Sequence, residues 1–364
     1  MENRRLLSLD ILRGLTIILM IIVNDPGSWS HVYAPLLHAE WNGITPTDYI
    51  FPCFLFIVGV SIVLSMKKQQ DQGKSRTELI KKVLWRSLKI YAVGIFLWLW
   101  PNFDFNEIRW VGVLPRIAFV YMACAILFLY GSRKIQWYFG ISALLGYWVV
   151  MAYFPIPGIG FPDLSMPEKN WAHFIDNLLL PGRLWQETWD PEGILSTIPA
   201  IVSGLIGMWA GYLLLQKDEL KNRINLLFFY GFILLFLGDL IQWFFPINKN
   251  LWSSSFTVFT GGIGMLSLAA FTYFFDIKQS RYQFKFAHAF GVNSITAYSL
   301  SSILTVVFYS SKWLGLSLND EFMLLYDRLG LPLKLGSLIY ALLYVIILWI
   351  PIQVLFKKKI YIKL

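Results

Sequence analysis

The sequence predicts an all-α, polytopic integral membrane protein of about ten transmembrane helices, with both termini in the cytoplasm. Three observations carry this. Hydrophobic residues make up 57% of the 364 residues and charged residues only 15%, against about 25% charged in an average soluble domain. Apolar runs of roughly 20 residues, enough to cross a bilayer, recur along the whole chain. The cations are distributed unequally between the two sides that those runs define. Segments crossing lipid must satisfy their backbone groups internally, so the runs are helices.

The first run, about 9–25, follows Arg4 and Arg5 and resembles a leader, but Asp10 and Arg13 interrupt it. No small-residue cleavage site follows, so it is read as a retained helix. The second, about 47–66, opens Pro46-Thr47-Asp48, with proline early and a polar first turn, as helix starts do. Lys67, Lys68, Lys74, Arg76, Lys81 and Lys82 then lead into the third run, about 83–100. The fourth, about 114–131, opens Leu114-Pro115-Arg116, and the fifth covers about 135–154. After it comes the longest connection, about 155–193, opening Pro155-Ile156-Pro157-Gly158 and carrying six acids against Lys169 and Arg183. Its tryptophans, Trp171, Trp185 and Trp189, argue for order. The sixth run, about 194–215, follows Asp190-Pro191-Glu192-Gly193, and the seventh is about 224–245. The stretch Asn248 to Ser255, including Trp252, leads into the eighth, about 253–275, whose Gly261, Gly262 and Gly264 fit close helix packing. Runs at about 286–309 and 335–356 complete the set, the last followed by Lys357, Lys358 and Lys359.

With the N-terminus inside, 22 of the 31 Lys and Arg residues fall on the cytoplasmic side, eight fall outside, and Arg13 lies within the first run. That is the positive-inside asymmetry. The net charge of +9 therefore reports topology rather than nucleic-acid binding. Cys53 and Cys124 both fall in apolar runs, so no exported disulfide framework is implied. Residues 1–364 read as a single transmembrane domain without low-complexity tracts. No clear internal repeat appears, which weakens a transporter built from inverted repeats. No metal-ligand spacing, Walker motif, dinucleotide fingerprint or nucleophile elbow is present.

His38 is one of only four histidines and sits in a polar loop between two apolar runs, with Asn24 before the loop and Asp48 at its end. An imidazole beside an amide and a carboxylate can do acid–base chemistry; the alternative is a loop histidine facing water. Asp48 is ten residues past His38, so a folded-back loop brings them together, and a carboxylate on one ring nitrogen makes the other a better base. Its plainer role is a helix cap. On the first helix Asp10 and Asn24 lie about 40° apart and about 21 Å along the axis, with Arg13 near Asp10. One stripe thus carries an ion-pair candidate at one end and an amide at the other. Asp10 and Arg13 either line a cavity, as intramembrane charges usually do, or neutralise each other near the headgroups. Arg116, Asp190, Glu192 and Trp252 are candidates for an outer substrate pocket, or else caps, turns and aromatic-belt anchors.

The motifs Ser8-Leu9-Asp10-Ile11-Leu12-Arg13-Gly14, Met20 to Asn24, and His38-Ala39-Glu40-Trp41-Asn42-Gly43 resemble those of the heparan-α-glucosaminide N-acetyltransferase family, in its shorter bacterial form. The resemblance continues through Thr47 to Phe54, Leu114 to Ala118, Asp190 to Gly193, Asn248 to Ser255, and Gly291-Val292-Asn293-Ser294, in family order over nearly the whole chain. It implies a membrane acetyltransferase that takes acetyl-CoA from the cytosol and acetylates an amino sugar on the far side. The family's catalytic histidine falls on His38 and its partner asparagine on Asn24. The chain departs from the lysosomal enzyme in lacking its additional N-terminal luminal portion and extra helix, which leaves acceptor specificity open.

On this reading His38 is the base, Asn24 stabilises the oxyanion or positions substrate, and Asp48 orients His38. Arg13, with Asp10, and His288 at the cytoplasmic mouth of the ninth run are the candidates for holding acetyl-CoA. The expected partners are acetyl-CoA, an amino-sugar acceptor and the lipid bilayer, with a homodimer left open and no nucleic acid. The expected location is a bacterial inner membrane. Two other functions compete: a transporter for sugars or amino sugars, and an O-acyltransferase acting on envelope glycan with the same base and donor path. A membrane scaffold is the passive alternative.

Overall fold

Every apolar run of the sequence is helical, as backbone burial in lipid requires. The structure is a computed structural model that describes residues 6–279 and 284–362. Its helices are α1 Leu7–Asn24, α2 Ile50–Asp71, α3 Arg76–Leu99, α4 Val113–Tyr130, α5 Arg133–Tyr153, α6 Trp171–Leu179 and α7 Thr197–Leu214. They continue as α8 Leu220–Ile241, α9 Ser254–Phe271, α10 Lys285–Val292, α11 Ser294–Tyr309, α12 Ser311–Leu314, α13 Leu318–Arg328 and α14 Leu333–Lys357. No strand occurs among the described residues; only isolated bridges pair Arg109 with Gly182 and Ile156 with Gly160.

Eight helical segments are long and apolar enough to span a membrane, and a ninth if a bent pair counts as one span. The sequence predicts about ten, and the difference has two physical sources. The third run lies within a helix of 24 residues, but Arg76, Lys81, Lys82, Arg86 and Lys89 line its first two-thirds and leave it too polar. The ninth run is not one rod: α10 and α11 meet at Asn293 and are bent by 88°. Only 22% of α8 is buried, and Phe228, Phe229, Phe232, Phe236 and Leu240 are exposed along it. An uncovered aromatic and aliphatic face of that length fits lipid, not water.

The chain divides into two compact units. One comprises Met1–His38, Thr45–Phe51 and Phe271–Leu364, the other Ala39–Ile44 and Pro52–Ala270. In the first, α1 and α10 touch backbone to backbone. A Cβ on Gly14 would collide with the carbonyl of Ala287, and one on Gly291 with the carbonyl of Asp10. The N-terminus of α1 is capped from afar: the amides of Leu7 and Ser8 donate to the Asp276 carboxylate at 3.1 and 3.2 Å. Asp276 belongs to a π-helical turn, Thr272–Ile277, and an anion there satisfies amides that the helix cannot and complements its dipole. At the other end Gly27 N donates to Ser337 O at 3.1 Å.

The second unit repeats the small-residue device. A Cβ on Gly59 would meet Gly204 O, one on Gly207 would meet Phe56 O, and one on Gly262 would meet the α8 backbone at Leu235 and Gly231. These contacts give Gly262 the packing role its spacing predicts, as small residues allow backbones to approach within a membrane. Trp137 and Trp209 stack with ring centroids 3.8 Å apart. Tyr147, Met151, Ala172, Phe245 and Leu251 form a further apolar cluster, where Tyr147 donates to Leu251 O at 2.6 Å.

Gly14→Ala is expected to destabilise the fold by about 1–3 kcal/mol, because neither backbone can yield without moving a helix. Gly146→Ala, with open space around its Cβ, is the control and should be neutral or slightly stabilising. Thermal unfolding in one detergent compares the two, and equal melting temperatures would refute a helix contact of this closeness.

Candidate active site

The loop after α1 is organised by Asp48. A short 3-10 turn, Pro46–Tyr49, begins at Thr45, and Asp48 Oδ2 accepts from Thr45 N at 3.0 Å and Thr45 Oγ1 at 3.1 Å. This reciprocal cap satisfies amides at the start of a helix. The other carboxylate oxygen, Oδ1, lies 2.7 Å from His38 Nδ1. Cap and imidazole partner, alternatives in the sequence, are thus both occupied by one side chain. The Asp48 side chain is 1% exposed and that of His38 49%, so a buried acid carries an accessible ring. An ionised carboxylate only accepts; His38 Nδ1 therefore carries the proton, and Nε2 is the basic nitrogen. Thr47 Oγ1 to Pro35 O at 3.1 Å and Thr45 Oγ1 to Leu37 O at 2.6 Å tie the loop on either side.

Asn24 is the last residue of α1, and its side chain is exposed. Asp25, which the sequence reading passes over, is 4% exposed and accepts from Thr305 Oγ1 at 2.6 Å. Burial pushes its carboxyl up from 3.8 to about 7, while the Thr305 hydroxyl pulls the other way. Asp25 carries no signal in its own residue type; only its neighbours show what it is.

At the opposite end of α1 the three donor-side candidates converge. Arg13 Nη1 lies 3.1 Å from Asp10 Oδ1 and donates to Gly291 O at 3.3 Å. His288 Nε2 stands 3.8 Å from Asp10 Oδ2. Asp10 is buried, and Arg13 and His288 are partly exposed. Two basic groups gathered on one buried acid suit an anionic ligand.

In the second unit the remaining candidates separate into scaffold and cavity. Asp190 takes Arg109 in a fork, Oδ2 from Nε at 2.7 Å and Oδ1 from Nη2 at 2.6 Å. It also accepts from the amides of Trp185 and Glu192 at 3.1 and 2.9 Å. Glu192 shares Arg109, Oε2 to Nη2 at 2.6 Å, and these acids hold the guanidinium pKa above its ordinary value against the cost of burial. Arg116, 1% exposed, donates to Gly193 O at 3.1 Å and to Ser196 Oγ and lies 5.1 Å from the centre of the Trp252 ring. Trp252 is fully buried and donates to Ser203 Oγ at 3.1 Å. Arg116 and Glu192, with Val111, Pro115, Phe119, Ile194 and Thr197, line a cavity of about 170 Å³. Arg109, the centre of this cluster, is absent from the sequence reading, because its acids lie 81 and 83 positions away. The tryptophans of the long connection are packed as well as displayed: Trp189 sits edge-on to Trp41 at 5.2 Å, and Trp171 donates to Phe154 O at 2.9 Å.

Residues 5–244 match the family described as heparan-alpha-glucosaminide N-acetyltransferase, catalytic. The chain belongs to that family. Heparan-alpha-glucosaminide N-acetyltransferase of Homo sapiens is 31% identical over 351 residues, covering 81% of this chain and 52% of the human protein. The Mus musculus protein of the same name is 31% identical over 309 residues, covering 69% of this chain and 46% of the mouse protein. The chain therefore spans about half the length of the curated relatives it matches. The acetyltransferase family match encloses Asp10, Arg13, Asn24, His38, Asp48, Arg116, Asp190 and Glu192, whereas Trp252 and His288 lie beyond it.

Asp176 on α6 supports the acidic loop, accepting from Ile194 N at 2.9 Å, and burial raises its carboxyl from 3.8 to about 7. A carboxyl raised in the folded state stabilises fully below its unfolded value, and that contribution is lost as pH climbs to the folded value. Asp176→Asn is expected to flatten the decline in melting temperature between pH 3.8 and about 7. An unchanged slope would show that Asp176 does not titrate this way.

Proposed function

We propose that this protein is a transmembrane acetyltransferase that moves an acetyl group from cytosolic acetyl-CoA to the amine of an amino sugar on the outer side. The observation that carries the reading is the His38–Asp48 contact of 2.7 Å within a loop that matches the family. The sugar nitrogen attacks the thioester carbonyl, the C–N bond forms, and the electron pair moves onto oxygen. His38 Nε2 takes the ammonium proton, with Asp48 holding the ring in the tautomer that permits it. Collapse of the intermediate breaks the C–S bond and releases coenzyme A, whose thiolate can be protonated by the imidazolium. The Asn24 carboxamide serves as hydrogen-bond donor to the oxyanion. Arg13 and His288, gathered on Asp10, receive the anionic part of the donor at the cytoplasmic end of α1. For the acceptor, Glu192 and Arg116 offer an acceptor and a donor beside an apolar cavity wall, while Asp190 and Trp252 hold that wall in place. Both termini then lie in the cytoplasm, and the membrane is a bacterial inner membrane.

His38→Ala is expected to lower kcat by about 10²–10⁴-fold, as loss of a general base does, and Asn24→Ala by about 10²–10³-fold. Both are measured as coenzyme A release from proteoliposomes loaded with acetyl-CoA and offered a panel of amino sugars outside. A wild-type protein that consumes no acetyl-CoA with any amine, or a fully active His38→Ala variant, would defeat the proposal.

The half-exposed imidazole also suits a two-step route in which His38 itself carries the acetyl group. Labelled acetyl-CoA mixed with protein in the absence of acceptor separates the routes. Direct transfer predicts no label on His38, and an acetyl-imidazole trapped there excludes it.

A further inference from the structure

Asp25 follows the proposed oxyanion donor Asn24 directly and stands where α1, α11 and α14 meet. Its carboxyl is 4% exposed, and no Lys, Arg or His among the described residues pairs with it. Its partner is Thr305 Oγ1 at 2.6 Å. That hydroxyl also lies 2.8 Å from Ser301 O and 3.3 Å from the Tyr344 hydroxyl, which itself donates to Ser301 O at 2.7 Å. Thr305 has a single proton for two acceptors. If Asp25 is ionised, Thr305 donates to it and gives up Ser301 O. If Asp25 is protonated, it donates to Thr305 and Thr305 donates to Ser301 O. Each arrangement leaves all these groups bonded, so the network has two states that differ by one proton on Asp25. The other titratable groups that feel its charge are Tyr309 of α11 and Tyr340 and Tyr344 of α14. Asp320 of α13 acts on Tyr340, and on the following loop lie His31, bonded to Ser28, and the His38–Asp48 pair.

We infer that Asp25 is a positioning residue for Asn24 that works as a neutral acid, pinning the end of α1 to α11 through Thr305, and that its ionisation opposes the reaction by setting a buried, unpaired negative charge one residue from the oxyanion donor. This rests on Asn24 serving the transfer reaction proposed above. The physical reason is electrostatic. A donor aimed at a developing oxyanion is weakened by a like charge on the next residue, and Asp25 is buried where water screens its charge little. Burial raises the carboxyl to about 7, so the neutral form prevails below that pH and the anion above it.

The test is the pH profile of kcat for wild type, Asp25→Asn and Thr305→Val in proteoliposomes. Asp25→Asn keeps a neutral donor at that position. Its activity relative to wild type is expected to rise about tenfold for each pH unit above about 7, as expected for a single titrating group. Thr305→Val removes both the donor to the anion and the pin on α11, so it should lower kcat below about pH 7 and move the alkaline fall to higher pH. An infrared carbonyl band of a protonated carboxyl, present at acid pH, lost on the alkaline side and missing from Asp25→Asn, reads the same titration without turnover. Coincident profiles for wild type and Asp25→Asn, or no such band, overturn the inference even if His38→Ala is inactive. A wild type that consumes no acetyl-CoA instead overturns the transferase reading and the role of Asp25 with it.

Discussion

The contact between α1 and α10 sets the position of the polar residues that α1 carries at its two ends. Two glycines, Gly14 and Gly291, let the helices meet at their carbonyls, and Asp276 caps the start of α1 from a turn far along the chain. A helix held at its middle and its beginning cannot slide or rotate. Its two polar ends therefore keep a fixed separation, with Asp10 and Arg13 near one and Asn24 and Asp25 at the other. Without hydrophobic drive between helices inside lipid, such close packing is the main source of that rigidity.

In the second unit the corresponding constraint is the pairing of buried charge. Arg109 is gripped by Asp190 and shared with Glu192, and Arg116 lies on Trp252. A buried ion without partners is expensive enough to unfold a loop, whereas a networked one fixes it. The long connection between α5 and α7 is thereby ordered by electrostatics as much as by apolar packing.

Much of this was legible in the sequence. Apolar runs and Asp48's position ahead of α2 depend on local composition, which a linear reading sees. The His38–Asp48 contact was legible because only ten residues separate the pair. The break at Asn293 was not, since the short polar stretch around it lies between longer apolar stretches that read as one run. The demotion of α3 was half visible, in the density of its cations. Arg109 and Asp25 escaped because their meaning lies in partners 81 and 280 positions away. Sequence offers no measure of distance over such intervals, so a lone arginine in a loop and a lone acid after a helix look solvated. Asp190 was noticed with two roles open, and its lone pairs are engaged by Arg109 and by loop amides.

Asp48 divides its two oxygens between unlike tasks, one closing the turn that launches α2 and the other steering an imidazole. A mechanical error in that turn is converted at once into an electronic error at the base. Any lengthening or shortening of the side chain would disturb both tasks together, so the helix start and the reactivity of His38 can drift only in concert.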